Sequence, residues 1–271
     1  FSLRDSFGEA VISLESLLGL EVKQSRFEVV SRESVKDYDR FYENKQVPDL
    51  ASEGSIQVIG FDGKGVPVIK AEAAKIQSRL GKGEKRQKKK EAIVGVSYSI
   101  DKKVRTAQEV AENLIYPEQA KAKRDQARKN GDKQAQIRAK NIRRIASLKR
   151  AKHDVMEKIV TDATRRDPAH KRPLVAVMDG ALGLWKQLAL ILSAVNWIGI
   201  LDIIHVTEYL WKVGNGLYGE KTTKSTQWVY EHLLSILQGR VGRVIGGLKQ
   251  ILNKRKLKAS QRKVLNETIR Y

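Results

Sequence analysis

The chain has 271 residues, enough for one large domain or a domain with an appendage, and its 41% hydrophobic content suffices to bury a core. It carries 52 Lys and Arg against 31 Asp and Glu, a formal charge of +21, which points to a polyanionic partner, above all nucleic acid, whose condensed counterions such a surface displaces. The absence of cysteine excludes disulfides and thiolate metal sites and suits the cytoplasm, and the longest apolar run, LALILSAVNWIGIL (188–201), is too short and interrupted to cross a bilayer and reads as buried core.

Residues 1–50 read as a helical region. GEAVISLESLLGL sets Val11, Leu14, Leu17 and Leu18 on one helical face before a stop at Gly19, and VKQSRFEVVSRESVKDYDRFYE forms a second amphipathic stretch with Phe27, Val30, Tyr38 and Phe41. Two helices across a short Gly-Leu turn resemble a helix-turn-helix DNA reader, although any small helical subdomain has this pattern.

Strand character begins beyond residue 50. SIQVIGF reads as a strand, GVPVIK as its hairpin partner across Asp-Gly-Lys-Gly, and EAIVGVSYSI as a third, with Val94, Val96, Tyr98 and Ile100 alternating. A basic insertion (70–92) holds GKGEKRQKKK, which cannot pack and so is a solvated loop, either a solubilising linker or a contact to phosphates. With so high a charge, contact is the reading taken, made by Lys85, Arg86, Lys88, Lys89 and Lys90 together with Lys64.

A second basic insertion (106–166) reads as helical, divided at Asn130-Gly131, with Ile137, Ile142, Ile145 and Leu148 as its packing stripe. RPLVAVMDG is a short apolar strand, a helix follows over 181–194, and WIGILDIIHV reads as another buried strand. From EYLWKVGNGLYGE onward the pattern is helical, with 222–271 as a further helical insertion. The core, residues 51–221, therefore runs β-β-β-α-β-α-β-α. Its first three strands form an antiparallel meander and the last two are joined by helical crossovers, the mixed-sheet α/β order of the ribonuclease-H-like fold.

Asp62 in FDG and Asp179 in MDG each follow an apolar run and precede a glycine. Either is a turn residue, or a carboxylate projected from a sheet edge. Two such acids at neighbouring strand ends repel one another, and a divalent cation relieves the penalty. Mg²⁺ or Mn²⁺ suits them, since Mg²⁺ accepts one or two carboxylates and leaves positions for phosphate oxygens. A metal pair about 3.5–4 Å apart is the arrangement used in phosphoryl transfer. Asp202 and His205, in LDIIHV, are too few for a zinc site and read as support for the acids, and Trp211 reads as packing. Gly214-Asn215-Gly216 is not a dinucleotide loop, GFDGKG lacks P-loop spacing, and no Gly-x-Ser-x-Gly elbow is present.

FDGKGVPV, RRDPAHKRPLVAVMDG and LDIIHVTEYLWK, in this order, resemble blocks of DDE-type transposases of bacterial insertion sequences, most closely the Kra group. The resemblance spans residues 55–220 and implies a ribonuclease-H-like core, a two-metal site, and cleavage and strand transfer of transposon DNA. It makes Asp62 and Asp179 the first two catalytic, metal-binding acids and Asp202 with His205 the D-x-x-H signature. Transposon ends and target DNA are the implied partners, a homo-oligomer the active complex, and a bacterial nucleoid the setting. The third acid of that family is a glutamate in a later block that this chain does not contain; Glu208, Glu220, Glu231 and Glu267 match it by residue type alone. The chain opens on Phe1 and stops at Tyr271 inside a helical pattern, so it reads as a fragment that binds DNA and cleaves it poorly or not at all. The alternative is a non-catalytic, basic nucleic-acid-binding protein in which both Asp-Gly pairs are turns.

Overall fold

The computed structural model describes residues 6–19, 21–68, 89–132 and 137–271. The chain divides into two compact units, Phe1–Val47 and Pro48–Tyr271. In the first, helix α1 (Phe7–Leu18) opens with a capping box in which Ser6 Oγ accepts from Glu9 N–H at 3.3 Å, and it closes at Gly19 with φ 62°. The second amphipathic stretch is two helices, α2 (Gln24–Glu33) and α3 (Tyr38–Asn44). A turn parts them, where the Ser34 hydroxyl donates back to Ser31 O at 2.9 Å.

The second unit is α/β, built on a five-stranded mixed sheet in the order β3-β2-β1-β4-β5. Strand β1 (Ile56–Pro67) pairs antiparallel with β2 (Lys89–Ile100), and β2 pairs antiparallel with β3 (Lys140–Ser147). On its other side β1 runs parallel to β4 (Leu174–Met178), which runs parallel to β5 (Trp197–Leu201).

This corrects the expected hairpin at Asp-Gly-Lys-Gly. The chain does not reverse there: Asp62 lies opposite Val94, Gly63 opposite Ile93 and Gly65 opposite Glu91, so GVP belongs to β1 itself. A twelve-residue ladder to β2 overrides the local turn preference of Asp-Gly. Gly63 serves a different need, because a Cβ there would fall 2.5 Å from Glu91 Oε1, a carboxylate that pairs with Lys152 at 2.9 Å. Lys89 and Lys90 open strand β2, exposed, instead of lying in a loop, while Lys85, Arg86 and Lys88 lie outside the described residues.

The alternating run EAIVGVSYSI is a strand as expected, within β2, and the sheet has a further strand that was not expected. Strand β3 lies inside the stretch read as helical, after α4 (Ala107–Ile115) and α5 (Pro117–Lys129). Helix α5 does end at Asn130-Gly131, where Gly131 has φ 78°. Of the expected packing stripe Ile145 is buried, while Ile142 and Leu148 are exposed. As an edge strand β3 buries little: Lys140 pairs at the surface with Asp101 at 2.8 Å, while Arg143, on the same strand face as Ile145, turns inward to Asp162 at 3.0 Å.

Helix α6 (Lys152–Arg166) packs across β1, β2 and β3, and α7 (Leu182–Ile191) joins it. Ile59, Phe61, Ile93, Met156, Ile159 and Met178 meet there in the first core. Strand β5 is not the buried strand its composition suggests, since Ile198, Ile200 and Leu201 are exposed at the sheet edge. Nor does it run to Val206: Asp202 caps helix α8 (Ile203–Tyr218), accepting from Ile204 N–H at 2.9 Å.

A second core is helical throughout. Helices α8, α9 (Thr223–Leu237), α10 (Val241–Lys254) and α11 (Ala259–Arg270) enclose Leu210, Val213, Val229, Leu233, Leu248 and Leu265. Helix α4 contributes Ala111 and Ile115 to it, and Trp211 packs at its margin. Among the described residues no helix is long and apolar enough to cross a membrane.

Candidate active site

The parallel register aligns three aspartates. Phe61 lies opposite Met178, and Met178 opposite Leu201. The next residues along are Asp62, Asp179 and Asp202, and Asp202 N–H donates to Met178 O at 2.8 Å, so the alignment holds one step beyond β5. Neighbouring strands lie about 4.8 Å apart, which sets the backbones of these residues side by side. Phe61 and Met178 both point into the first core; alternation within β1 sends Asp62 to the opposite face, and Asp179 is the first residue beyond β4.

Local structure fixes each acid differently. Asp62 lies where β1 leaves β4 and continues with β2 alone, and its side chain is exposed. Asp179 is half-buried in the turn leading to α7, where its Oδ1 accepts from Ala181 N–H at 3.0 Å and its carbonyl accepts from Trp185 Nε1 at 2.6 Å. Asp202 spends one oxygen on the α8 cap. His205 sits in the first turn of α8, not at a strand end, with Nε2 3.9 Å from Asp202 Oδ2 and Nδ1 3.4 Å from Glu208 Oε2.

The register thus brings Asp62, Asp179 and Asp202 into one row, with His205 and Glu208 leading away from its end. Of the four glutamates considered by residue type, Glu208 is linked to the row through His205, whereas Glu231 accepts from Gln227 and Glu267 pairs with Lys263. Among the described residues no group of three or more His, Cys, Asp or Glu side chains is gathered to hold a metal ion. The turn bond of Asp179 to Ala181 N–H and the capping bond of Asp202 explain part of this, since each occupies one carboxylate oxygen locally. As a donor set the row remains suited to Mg²⁺: hard carboxylate oxygens, of which one or two suffice.

Tyr271 completes the surroundings, and nothing in the sequence pattern marked it. Its hydroxyl accepts from Gly180 N–H at 3.0 Å, directly after Asp179, and its ring stacks on Tyr209 at 4.3 Å. Gly180 has to be glycine for this approach, because a Cβ there would lie 2.6 Å from the Tyr271 ring. Burial, joined by the charges of Asp179 and Asp202, pushes the Tyr271 hydroxyl above the usual tyrosine range. Replacing Tyr271 by Phe keeps the ring stack and removes one hydrogen bond, for an expected loss of about 0.5–1.5 kcal/mol in urea unfolding.

Compared with known proteins, the chain matches no family model, no curated protein and no solved structure.

Proposed function

We propose that this chain is the core of a metal-dependent enzyme of the ribonuclease-H-like class that cleaves and joins nucleic-acid strands. More specifically, we read it as a DDE-type transposase resembling the Kra group. The observation that carries the reading is the aligned row of Asp62 on β1, Asp179 just beyond β4 and Asp202 just beyond β5. The sheet order β3-β2-β1-β4-β5, with three antiparallel strands followed by two parallel ones, supports the ribonuclease-H-like assignment. The net charge of +21 supports DNA as the partner.

In this reading Asp62 and Asp179 hold the metal, and Asp202 with His205 supports them. When bound, a metal pair supplies activation of the attacking oxygen and stabilisation of the leaving one. The chain's own part is positional. The β1–β4 ladder sets the spacing of the two acids, and Trp185 and Tyr271 hold the turn that carries Asp179.

Titration calorimetry with Mn²⁺ on the wild type and on Asp62→Asn tests the reading. The variant is expected to lose at least about 100-fold in affinity, the upper end of what removing a metal site's outer partner costs. Unchanged Mn²⁺ binding by Asp62→Asn would remove the active-site claim and leave a non-catalytic nucleic-acid-binding protein.

A further inference from the structure

Residues 238–271 hold ten Lys and Arg against the single acid Glu267. Within this segment α10 turns Val244 and Leu248 into the helical core. Arg240, Arg243, Gly247, Gln250 and Lys254 recur at spacings of three and four, so they share one side of the helix from its cap to its end. The first four of them line an open groove of about 750 Å³ between α9 and α10.

The groove floor is bare. A Cβ placed on Gly246 or Gly247 would meet nothing within 4 Å, so a ligand can approach the helix backbone closely there. Glu231 is the acid in the lining, and its carboxylate accepts from Gln227 Nε2 at 2.8 Å. His232 adds no positive charge near neutral pH: burial pushes its imidazole below the usual range, and Nδ1–H donates to Trp228 O at 2.7 Å. Two guanidinium groups therefore dominate the head of the groove, and Lys254 stands at its far end. Helical rise puts Arg240 and Lys254 about 21 Å apart along the axis, close to six phosphate steps of one strand at about 3.4 Å each.

We propose that this groove binds the phosphate backbone of duplex DNA, as a contact surface separate from the acid row. The proposal rests on the DNA reading given above and extends it to α10, a helix that the acid row does not use. The bare glycines admit the sugar-phosphate chain, and the arginines supply the bidentate contacts that phosphates accept.

Fluorescence anisotropy of a labelled random-sequence duplex, titrated with the full chain over a salt series, tests this. The double variant Arg240→Ala/Arg243→Ala is expected to bind at least about tenfold more weakly at low salt and to lower the slope of log K against log salt by about two. Gly247→Glu, which has open space for its side chain, is expected to weaken binding with no fall in Tm. It serves if the arginine variant fails to fold. Steep, salt-dependent duplex binding by the wild type that neither variant changes would overturn the groove while leaving the DNA reading in place. Failure of the wild type to bind duplex at low salt would overturn both. A variant-sensitive affinity for heparin without affinity for duplex would overturn DNA as the occupant.

Discussion

Replacing Arg166 by Met is expected to destabilise the second unit by about 3–5 kcal/mol, because it strands a buried carboxylate. Glu53 is 7% exposed and Arg166 is 3% exposed. Arg166 donates to both Glu53 oxygens at 2.7 Å, Ser99 Oγ donates to the same carboxylate, and Arg166 Nη1 lies 3.6 Å from Asp162. The double variant Glu53→Gln/Arg166→Met removes the stranded charge and is expected to recover part of the loss in guanidinium melts. The same pair gives stability a pH dependence. Burial pushes the Glu53 carboxyl up, but the hydrogen bonds from Arg166 and Ser99 and the Arg166 charge outweigh it and hold the group below its ordinary value of 4.5. Because the folded value is depressed, the contribution is complete above that ordinary value and is lost as pH falls through the lower folded value. Melts taken downward from neutral pH should show the wild type losing stability in that range and Arg166→Met losing less.

The second large effect is expected at Ile159. It is fully buried on α6, directly over Gly95 of β2, and a Cβ on Gly95 would lie 2.8 Å from its Cγ1 and 3.2 Å from the Phe61 ring. Ile159→Ala should cost about 2–5 kcal/mol, with the spread set by how far the cavity can close. Gly95→Ala alone should cost about 1–3 kcal/mol through overpacking. Combined, the two should cost clearly less than their sum, since the new methyl group enters the space vacated by the isoleucine. Strict additivity in the double-mutant cycle would show that the two residues do not share that space.

Asp62 and Asp179 were legible because each ends an apolar run before a glycine, and that local pattern is also what ends the paired stretch of β1 and β4. Asp202 was legible as a neighbour of these acids but was placed in a strand. The apolar residues after it belong to the first turn of α8, and a short apolar run does not distinguish a strand from a helix start. Strand β3 was not legible. KNIRRIAS buries a single isoleucine, so neither the period of a strand nor that of a helix stands out against its charges. The straight course of β1 was hidden for a related reason: Asp-Gly favours turns locally, and only the distant partner strand β2 overrides it. Tyr271 and the Glu53–Arg166 pair are long-range contacts, for which no spacing in the sequence gives a sign.

The two cores also differ in how their partners are spread along the chain. The helical core draws mainly on neighbours, α8 through α11 in unbroken succession, so most of its contacts close short loops. The sheet core has to bring β1 beside β4, pairing Gln57 with Leu174 across β2, α4, α5, β3 and α6. Chain closure over so long a stretch is entropically slow, whereas local helix pairing is fast. On this ground the basic helical bundle is expected to form early. The aspartate row, which exists only once β1, β4 and β5 lie side by side, is expected among the last features to form.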